Sequence, residues 1–301
     1  RRSSSAASDV YKRQGLLVLN KPSGISSGEF IRKLKPFLGD SKIGHSGTLD
    51  PLASGVILAC LGQMTRFTNF LANERKTYIA EMMFGLQTDT GDLDGKIERE
   101  YKKIPTKNDF NKIKKKFIGS LNQEAPKYSS LKYKGKPLYH YARKNKEVPK
   151  KIREIEIYKL DLISVDQNKF KFLVECGKGT YIRSLVKDLA KDLNSVAVLS
   201  NLQRTISAEH EISEAHEIES INRENIKSKI IQMGDALRSL DKLQCASEII
   251  DRIKKGQKIY LKEAEIKSKY LRLFDEKNKF IGILKNINGL VSPKRLISIE
   301  N

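Results

Sequence analysis

The chain has 301 residues, which is long enough to bury a large core and to hold one large domain beside a small one. Its 57 Lys and Arg against 36 Asp and Glu give a formal net charge of +21, which favours a polyanionic partner, either nucleic acid or an anionic membrane surface. No apolar run approaches the ~20 residues of a membrane-spanning helix. Cys60, Cys176 and Cys245 lie far apart, which excludes a disulfide framework and a paired-cysteine metal site. With no secretory apolar segment, we expect a cytoplasmic protein that does not enter a membrane.

The N-terminal part alternates short apolar runs with turn residues. Residues 1–14 do not begin with Met and show no apolar periodicity, so we expect a non-native or disordered leader there. Residues 16–19 predict a strand, which ends at the turn sequence Asn-Lys-Pro-Ser-Gly at 20–24. Ser26 and Glu29 have the spacing of a capping box ahead of apolar residues at helical spacing, so a helix should follow.

The most informative segment is 44–56, Gly-His-Ser-Gly-Thr-Leu-Asp-Pro-Leu-Ala-Ser-Gly-Val, which leads into an apolar run. Gly44 and Gly47 allow the backbone to turn sharply and another molecule to approach it closely. Pro51 favours an extended conformation at Asp50, which places the carboxylate on a loop. Because loops held by a rigid sheet often carry catalytic groups, Asp50 is a candidate catalytic residue. The alternative is an Asp-Pro turn that simply feeds a buried strand.

Two later segments imitate ion-binding or phosphate-binding loops. Residues 89–95, Asp-Thr-Gly-Asp-Leu-Asp-Gly, look like a calcium loop, but a loop starting at Thr90 would have Tyr101 in place of the final Glu. Residues 177–180, Gly-Lys-Gly-Thr, lack the upstream glycine of a phosphate loop and the hydroxyl residue after its lysine. We therefore expect a polar turn in the first segment and a helix capped by Thr180 after the second.

The other elements before residue 240 follow from apolar periodicity. It predicts strands at 56–60, 78–84 and 171–176, and a solvated, lysine-rich helix over 106–120. Apolar residues at 182, 185, 186, 189 and 193 predict an amphipathic helix. Their spacing leaves Arg183, in the first turn, off the apolar stripe.

Residues 127–153 combine ten Lys and Arg with a single acidic residue, Glu147, and interleave them with four tyrosines and one histidine. Such cations can neutralise phosphates while aromatic faces stack on unpaired bases, which is typical of proteins that hold RNA loops. The alternative is a solvated surface with the tyrosines packed beneath it. After residue 240, short apolar runs at 270–274 and 280–284 with glycine turns predict a small β structure.

Several of these segments together resemble the TruB family of tRNA pseudouridine synthases. They are Asn-Lys-Pro-Ser-Gly at 20–24, the run at 44–56, Lys-Thr-Tyr at 76–78, Thr-Asp-Thr-Gly-Asp at 88–92, Ala-Pro-Lys-Tyr-Ser-Ser-Leu-Lys at 125–132 and Lys-Gly-Thr-Tyr-Ile-Arg-Ser-Leu at 178–185. The resemblance implies an α/β (α+β) catalytic domain over 15–240, with a mixed, largely antiparallel sheet, a central cleft and an RNA-gripping insertion at 124–153. It also implies a PUA-like β domain at 241–301, for which a β extension of the main domain is the alternative.

The same resemblance implies roles for individual residues. Asp50 would be the catalytic carboxylate, Tyr78 would stack on the target uracil and handle a proton, and Arg183 would pair with Asp50. The residues implied to contact the base or the surrounding RNA are Lys21, Gly44, His45, Gly47, Lys132, Arg143, Tyr181 and Leu202. Within that set, His45 would fill the space the base leaves, Tyr181 would hold the base, and Leu202 would lie beneath it. Gln203-Arg204 departs from the Arg-Arg of the best-known family form, which puts tRNA contacts in doubt but not the carboxylate.

The implied reaction is isomerisation of uridine to pseudouridine at position 55 in the T-loop of tRNA by a stand-alone enzyme. The base leaves through nitrogen and rejoins the same sugar through carbon, so no cofactor or metal is required. An ionised Asp50 can attack C1′ or remove the 2′ proton, and the sequence does not choose between these routes. Two other interpretations stay open: a guide-RNA-dependent synthase of the dyskerin type, and an RNA chaperone that folds tRNA. The sequence predicts no obligate protein partner and leaves the oligomeric state open.

Overall fold

The computed structural model describes residues 14–144, 146–261 and 268–298, so the expected leader lies outside the described residues apart from Gln14. The strands, in chain order, are β1 (Gly15–Lys21), β2 (Ile43–Ser46), β3 (Ser54–Leu61), β4 (Lys76–Phe84), β5 (Leu86–Thr88), β6 (Ile97–Glu100), β7 (Gly119–Glu124), β8 (Lys132–Tyr133), β9 (Lys136–Pro137), β10 (Ile152–Asp166), β11 (Lys169–Cys176), β12 (Ala197–Ser207), β13 (His210–Glu211), β14 (Asp241–Gln244), β15 (Ile259–Tyr260), β16 (Tyr270–Phe274), β17 (Phe280–Ile287) and β18 (Leu290–Leu296).

The α-helices are α1 (Ser27–Arg32), α2 (Lys35–Leu38), α3 (Thr68–Asn73), α4 (Lys107–Ile113), α5 (Leu138–Ala142), α6 (Ile182–Asp192), α7 (Ile226–Lys229), α8 (Met233–Ala236) and α9 (Ser247–Lys254). Short 3₁₀ helices lie at Gly62–Phe67, Lys114–Phe117, Ile212–Glu214 and Ile218–Ser220. The lysine-rich helix expected over 106–120 is therefore shorter. It begins after the N-cap Thr106, turns into a 3₁₀ helix, and gives way to strand β7 at Gly119.

The large sheet has the strand order β1-β3-β12-β4-β11-β10-β7, with β2 paired to β3 and β13 paired to β12. Every pair in it is antiparallel except β3 and β12, which run parallel through Ser54–Gln203 and Gly55–Arg204. Strand β12, although late in the sequence, lies between β3 and β4. The expectation of an α/β fold on a mixed, largely antiparallel sheet is confirmed.

Strands β1 and β3 are buried on both faces, which explains why they read as unbroken apolar runs rather than as alternating ones. Leu17 and Leu19 face the main core, whereas Leu16 and Val18 face a second core on the other side of the sheet. The main core also holds α1 and the apolar face of α6. The sheet is therefore a rigid central layer from whose strand ends and loops the candidate site is built.

Helix α6 follows the predicted apolar stripe, but its N-cap is Tyr181 rather than Thr180. The Thr180 hydroxyl instead donates to the carbonyl oxygen of Gly177 at 3.1 Å, within the turn that precedes the helix. The predicted cap was wrong by one residue, because this hydroxyl stabilises the glycine turn instead of the helix terminus.

The C-terminal residues form a separate five-stranded sheet with the order β14-β16-β17-β18-β15 and a small core of their own against α9. This arrangement is consistent with the PUA-like β domain expected from the sequence. Phe274 and Phe280 reach out of it into the second core of the main domain, where the rings of Phe280 and Phe67 lie 5.7 Å apart in an edge-to-face arrangement. The two sheets thus share a continuous apolar contact.

Candidate active site

A cleft of about 490 Å³ lies where several loops and strand segments of the main domain converge. Asp50, Tyr78, Tyr181, Arg183 and Leu202, which stand far apart in the sequence, all line it. Asp50 lies in the loop before β3, Tyr78 in β4 and Leu202 in β12. Tyr181 is the N-cap of α6, and Arg183 lies in the first turn of that helix. The sequence-predicted central residues are therefore brought together at one site.

Arg183 contacts several other groups of this site. Its side chain is buried, with 5% exposed, whereas the side chain of Asp50 is 39% exposed. Its Nη2 lies 2.9 Å from Asp50 Oδ2 and donates to the Tyr128 carbonyl oxygen at 2.8 Å. Its Nη1 donates to the Thr90 carbonyl oxygen at 2.9 Å, and its Nε lies 3.7 Å from Asp92 Oδ2. The guanidinium is held from several sides, so the carboxylate it binds is presented to the cleft in one orientation.

Burial raises the pKa of the Asp50 carboxyl, and the nearby charge of Asp92 adds to this rise. Arg183 acts in the opposite direction, both through its charge and through its hydrogen bond. The expected influence of Arg183 is present, but the pKa of Asp50 remains above its ordinary value because burial outweighs it. Burial likewise raises the pKa of the Tyr78 hydroxyl, against which Arg204 acts.

The backbone of Tyr181 is fixed by a residue that the sequence did not single out. The buried Gln123, at the end of β7, accepts from the Tyr181 N–H at 2.8 Å and donates from Nε2 to the Tyr181 carbonyl oxygen at 3.1 Å. Next to it, the Ser184 hydroxyl donates to the Glu124 carbonyl oxygen at 2.7 Å. The end of β7 therefore clamps the first turn of α6, which carries Arg183.

Lys21 was expected to contact substrate, but its side chain is fully buried under the site. Its Nζ donates to the carbonyl oxygens of Pro22 at 2.8 Å, Ile25 at 2.7 Å and Pro51 at 3.4 Å. Burial lowers the pKa of Lys21 to about 8, an effect that Asp50 opposes. The structure thus gives Lys21 the task of joining the turn after β1 to the Asp50 loop, in place of a contact from the cleft.

Arg204 is a further buried cation near the site, and sequence reasoning noted it only as part of a departure from the family form. Its Nε donates to the Val56 carbonyl oxygen and its Nη2 to the Gly47 carbonyl oxygen, both at 2.7 Å. Gly47 has a positive φ of 70°, and a Cβ there would lie 3.0 Å from Arg204 Nη1. Gly47 therefore serves the turn and the close approach of the guanidinium.

Comparison with known sequences shows the family of this chain. The family described as "TruB family pseudouridylate synthase (N terminal domain)" matches residues 35–182, and "Pseudouridine synthase II TruB, C-terminal" matches residues 242–297. The tRNA pseudouridine synthase B of Clostridium kluyveri is 37% identical over 276 residues, which cover 90% of this chain and 95% of the relative. That of Vibrio parahaemolyticus is 35% identical over 298 residues, with coverage of 94% and 95%. The chain belongs to the TruB family of pseudouridine synthases.

A solved structure described as a Cbf5-Nop10-Gar1 complex contains a chain with the same fold as this TruB-family protein. The TM-score is 0.74 at 22% identity, and the match covers 96% of this chain and 86% of the other. At this identity the likeness concerns the fold.

The remaining predicted contact residues of this TruB-family chain are spread around the cleft. Gly44 and His45 line another cavity of about 530 Å³ instead of the cleft itself. Burial lowers the pKa of His45, and Arg204 adds to the effect. Arg143 lines the cleft, whereas Lys132 lies exposed on the small hairpin β8–β9 outside it.

Over the described ranges, the TruB-family chain has no group of three or more His, Cys, Asp or Glu side chains placed to hold a metal ion. Over those ranges, too, no helix is long and apolar enough to cross a bilayer.

Proposed function

We propose that this chain isomerises uridine to pseudouridine in tRNA and that Asp50 is its reacting carboxylate. The observation that carries the proposal is the pairing of a partly exposed Asp50 carboxylate with the buried Arg183 guanidinium at 2.9 Å, in a cleft also lined by Tyr78, Tyr181 and Leu202. A pairing of this kind orients the carboxylate and favours its charged form. The TruB membership of the chain supports the same reaction.

In the proposed reaction, the bond between N1 of the uracil and C1′ breaks, and N1 takes the bonding pair. Asp50 either bonds to C1′, through a bond that breaks again when C5 bonds to C1′, or removes the 2′ proton and later returns it to C2′. The base then turns, C5 bonds to C1′, the C5 proton leaves and N1 gains a proton. Tyr78 and Leu202 would hold the base from its two faces, and aromatic stacking contributes ~1–3 kcal/mol to keeping a flipped base in place.

We further propose position 55 in the T-loop as the target and action without a guide RNA. The basic, tyrosine-rich segment 127–153 supports this, because its Tyr128, Tyr139 and Arg143 line the cleft. A protein that holds folded RNA through its own cations and aromatic rings does not need a guide to place the target. Cytoplasmic location and independence of a protein partner stay predictions.

The test is the Asp50→Asn variant, assayed by mapping pseudouridine in an unmodified tRNA transcript. It should abolish isomerisation and leave the Kd for tRNA within about threefold, because it removes the reacting group and no phosphate contact. Asp94→Asn is the matched control, since Asp94 lines the same cleft but forms no ion pair within the described ranges. Substantial product from the Asp50→Asn variant would refute the proposed role of the carboxylate.

A further inference from the structure

Three cations lie buried beneath the candidate active site. Arg204 and Lys21 are 0% exposed and Lys76 is 8% exposed. Each donates to backbone carbonyl oxygens, and within the described parts of the chain none has a carboxylate oxygen within 4.0 Å. Burying a charge without a carboxylate partner is costly, so three such charges together call for an explanation.

Arg204 is the least compensated of the three. Its Nε and Nη2 donate to the carbonyl oxygens of Val56 and Gly47. Its side chain also faces the Tyr78 hydroxyl, whose pKa it lowers both by its charge and by a hydrogen bond. A guanidinium carries five N–H donors and does not lose its proton in proteins, so this positive charge is permanent.

The register of strands β12 and β4 places two of these cations next to residues that line the cleft. Arg204 lies opposite Tyr78 in the β12–β4 register, and Lys76 lies opposite Ser207 on the same strand pair. Alternate residues of a strand share a face, so Arg204 shares the face of Leu202, and Lys76 shares the face of Tyr78. Leu202 and Tyr78 both line the cleft, whereas the cations behind them do not.

Arg204 also acts on the titratable groups near it. Arg204 lowers the pKa of the Tyr78 hydroxyl against the effect of burial, and it lowers the pKa values of His45, Lys21 and Lys76. Tyr78, which lines the cleft, and three groups near it thus experience the positive charge of Arg204. In a poorly solvated site such a potential is much stronger than in water.

We propose that Arg204, assisted by Lys76 and Lys21, supplies a positive potential beneath the cleft floor that stabilises the uracil anion released when the N1–C1′ bond breaks. The inference rests on the proposed isomerisation. In that step N1 takes the bonding pair and the base carries a negative charge until C5 bonds to C1′. Fixed charge aimed at a site where negative charge develops stabilises the transition state without reorganisation. Arg204 does not line the cleft, so it is a positioning residue that acts through the Tyr78 side and not a catalytic one.

The test compares Arg204→Met with Arg204→Lys in single-turnover reactions at saturating enzyme, with tritium release from C5 of the target uridine as the readout. Met keeps the length and loses the charge, so the rate should fall about a hundredfold while tRNA affinity changes little. Lys keeps the charge, so it should recover most of that loss. Gln203→Met is the matched control, because residue 203 lies on the opposite face of β12.

A second readout separates stabilisation of charge from simple packing. The same variants are assayed on tRNA with 4-thiouridine at the target, where sulfur spreads the negative charge and makes the base a better leaving anion. The loss caused by Arg204→Met should then be about tenfold smaller than on uridine. Equal losses on both substrates, or equal rates for the Met and Lys variants, would overturn the proposal.

If Arg204→Met does not fold by circular dichroism, Lys76→Met takes its place. Lys76→Met removes a charge from the strand face that carries Tyr78. The rate should fall less than in Arg204→Met, and the fall should again be smaller on 4-thiouridine than on uridine. A wild-type rate for a folded Lys76→Met variant would then refute the inference. Absence of pseudouridine in the wild-type reaction would instead refute the proposed function.

Discussion

At the scale of single residues, Arg183 links the chemistry to the fold. It binds the Asp50 carboxylate and is itself held by the carbonyl oxygens of Thr90 and Tyr128. The carboxylate therefore depends on three separate chain segments for its orientation. Its charge state depends on the balance between burial, which raises the pKa, and Arg183, which lowers it.

Replacing Arg183 with Gln should move the pH–rate profile as well as lower the maximal rate. Without the guanidinium, the pKa of Asp50 rises further, so the acidic limb of the profile shifts to higher pH. The maximal single-turnover rate should fall at least about a hundredfold, because the carboxylate loses its orientation. Lys187→Gln, on the same helix, is the control. An unchanged acidic limb would show that Arg183 does not set the charge of Asp50.

At the scale of secondary-structure elements, the end of β7 holds the start of α6. Gln123→Ala should destabilise the protein by about 1–3 kcal/mol, because it leaves the Tyr181 N–H without its buried partner. Activity should fall together with stability, since Arg183 lies two residues further along the helix. Asn122→Ala is the control, and chemical denaturation gives the free energy of unfolding. Equal stability of the two variants would contradict the clamp.

The insertion gives a second prediction at this scale. Removing 127–150 would also remove the Tyr128 carbonyl oxygen that Arg183 binds, so that larger deletion should cost both tRNA binding and rate. A glycine linker in place of 132–146 removes six Lys and Arg and leaves Tyr128 in position. It should weaken tRNA binding and keep most of the rate at saturating enzyme. Wild-type tRNA affinity of this folded variant would show that the RNA is held elsewhere.

The sequence predicted those elements whose cause is local. The Asp50 loop follows from its glycines and Pro51, and β1, β4 and α6 follow from apolar spacing. Arg183 could be paired with Asp50 only through family resemblance, since its spacing showed merely that it was off the apolar stripe. Gln123 and the task of Arg204 could not be predicted, because their partners are set by strand order and register. The burial of Lys21, which was expected to contact substrate, could not be predicted for the same reason, because it depends on how two loops meet.

At the scale of the whole molecule, the +21 charge predicts strongly salt-dependent binding of tRNA. If about six phosphates are neutralised, the slope of log K against log salt concentration should lie near −4 to −5. Titration of tRNA at several salt concentrations measures this slope, and the variant lacking 132–146 should show a shallower one. A flat response would mean that the charge reflects composition alone.

The position of β12 has a consequence for how the protein is made. A growing chain that has reached residue 196 already contains Asp50, Tyr78 and Arg183, but it lacks the strand that lies between β3 and β4. Strands β1 and β3 form one antiparallel unit, and strands β4, β11, β10 and β7 form another. Each unit can pair without β12. Strand β12 joins them in the sheet, through a pairing with β3 that spans about 150 residues of sequence and one with β4 that spans about 120. Pairings between segments so far apart in sequence form slowly. During synthesis, two separate parts of the sheet can therefore form before the active site is complete, and the cleft is among the last parts of the main domain to form.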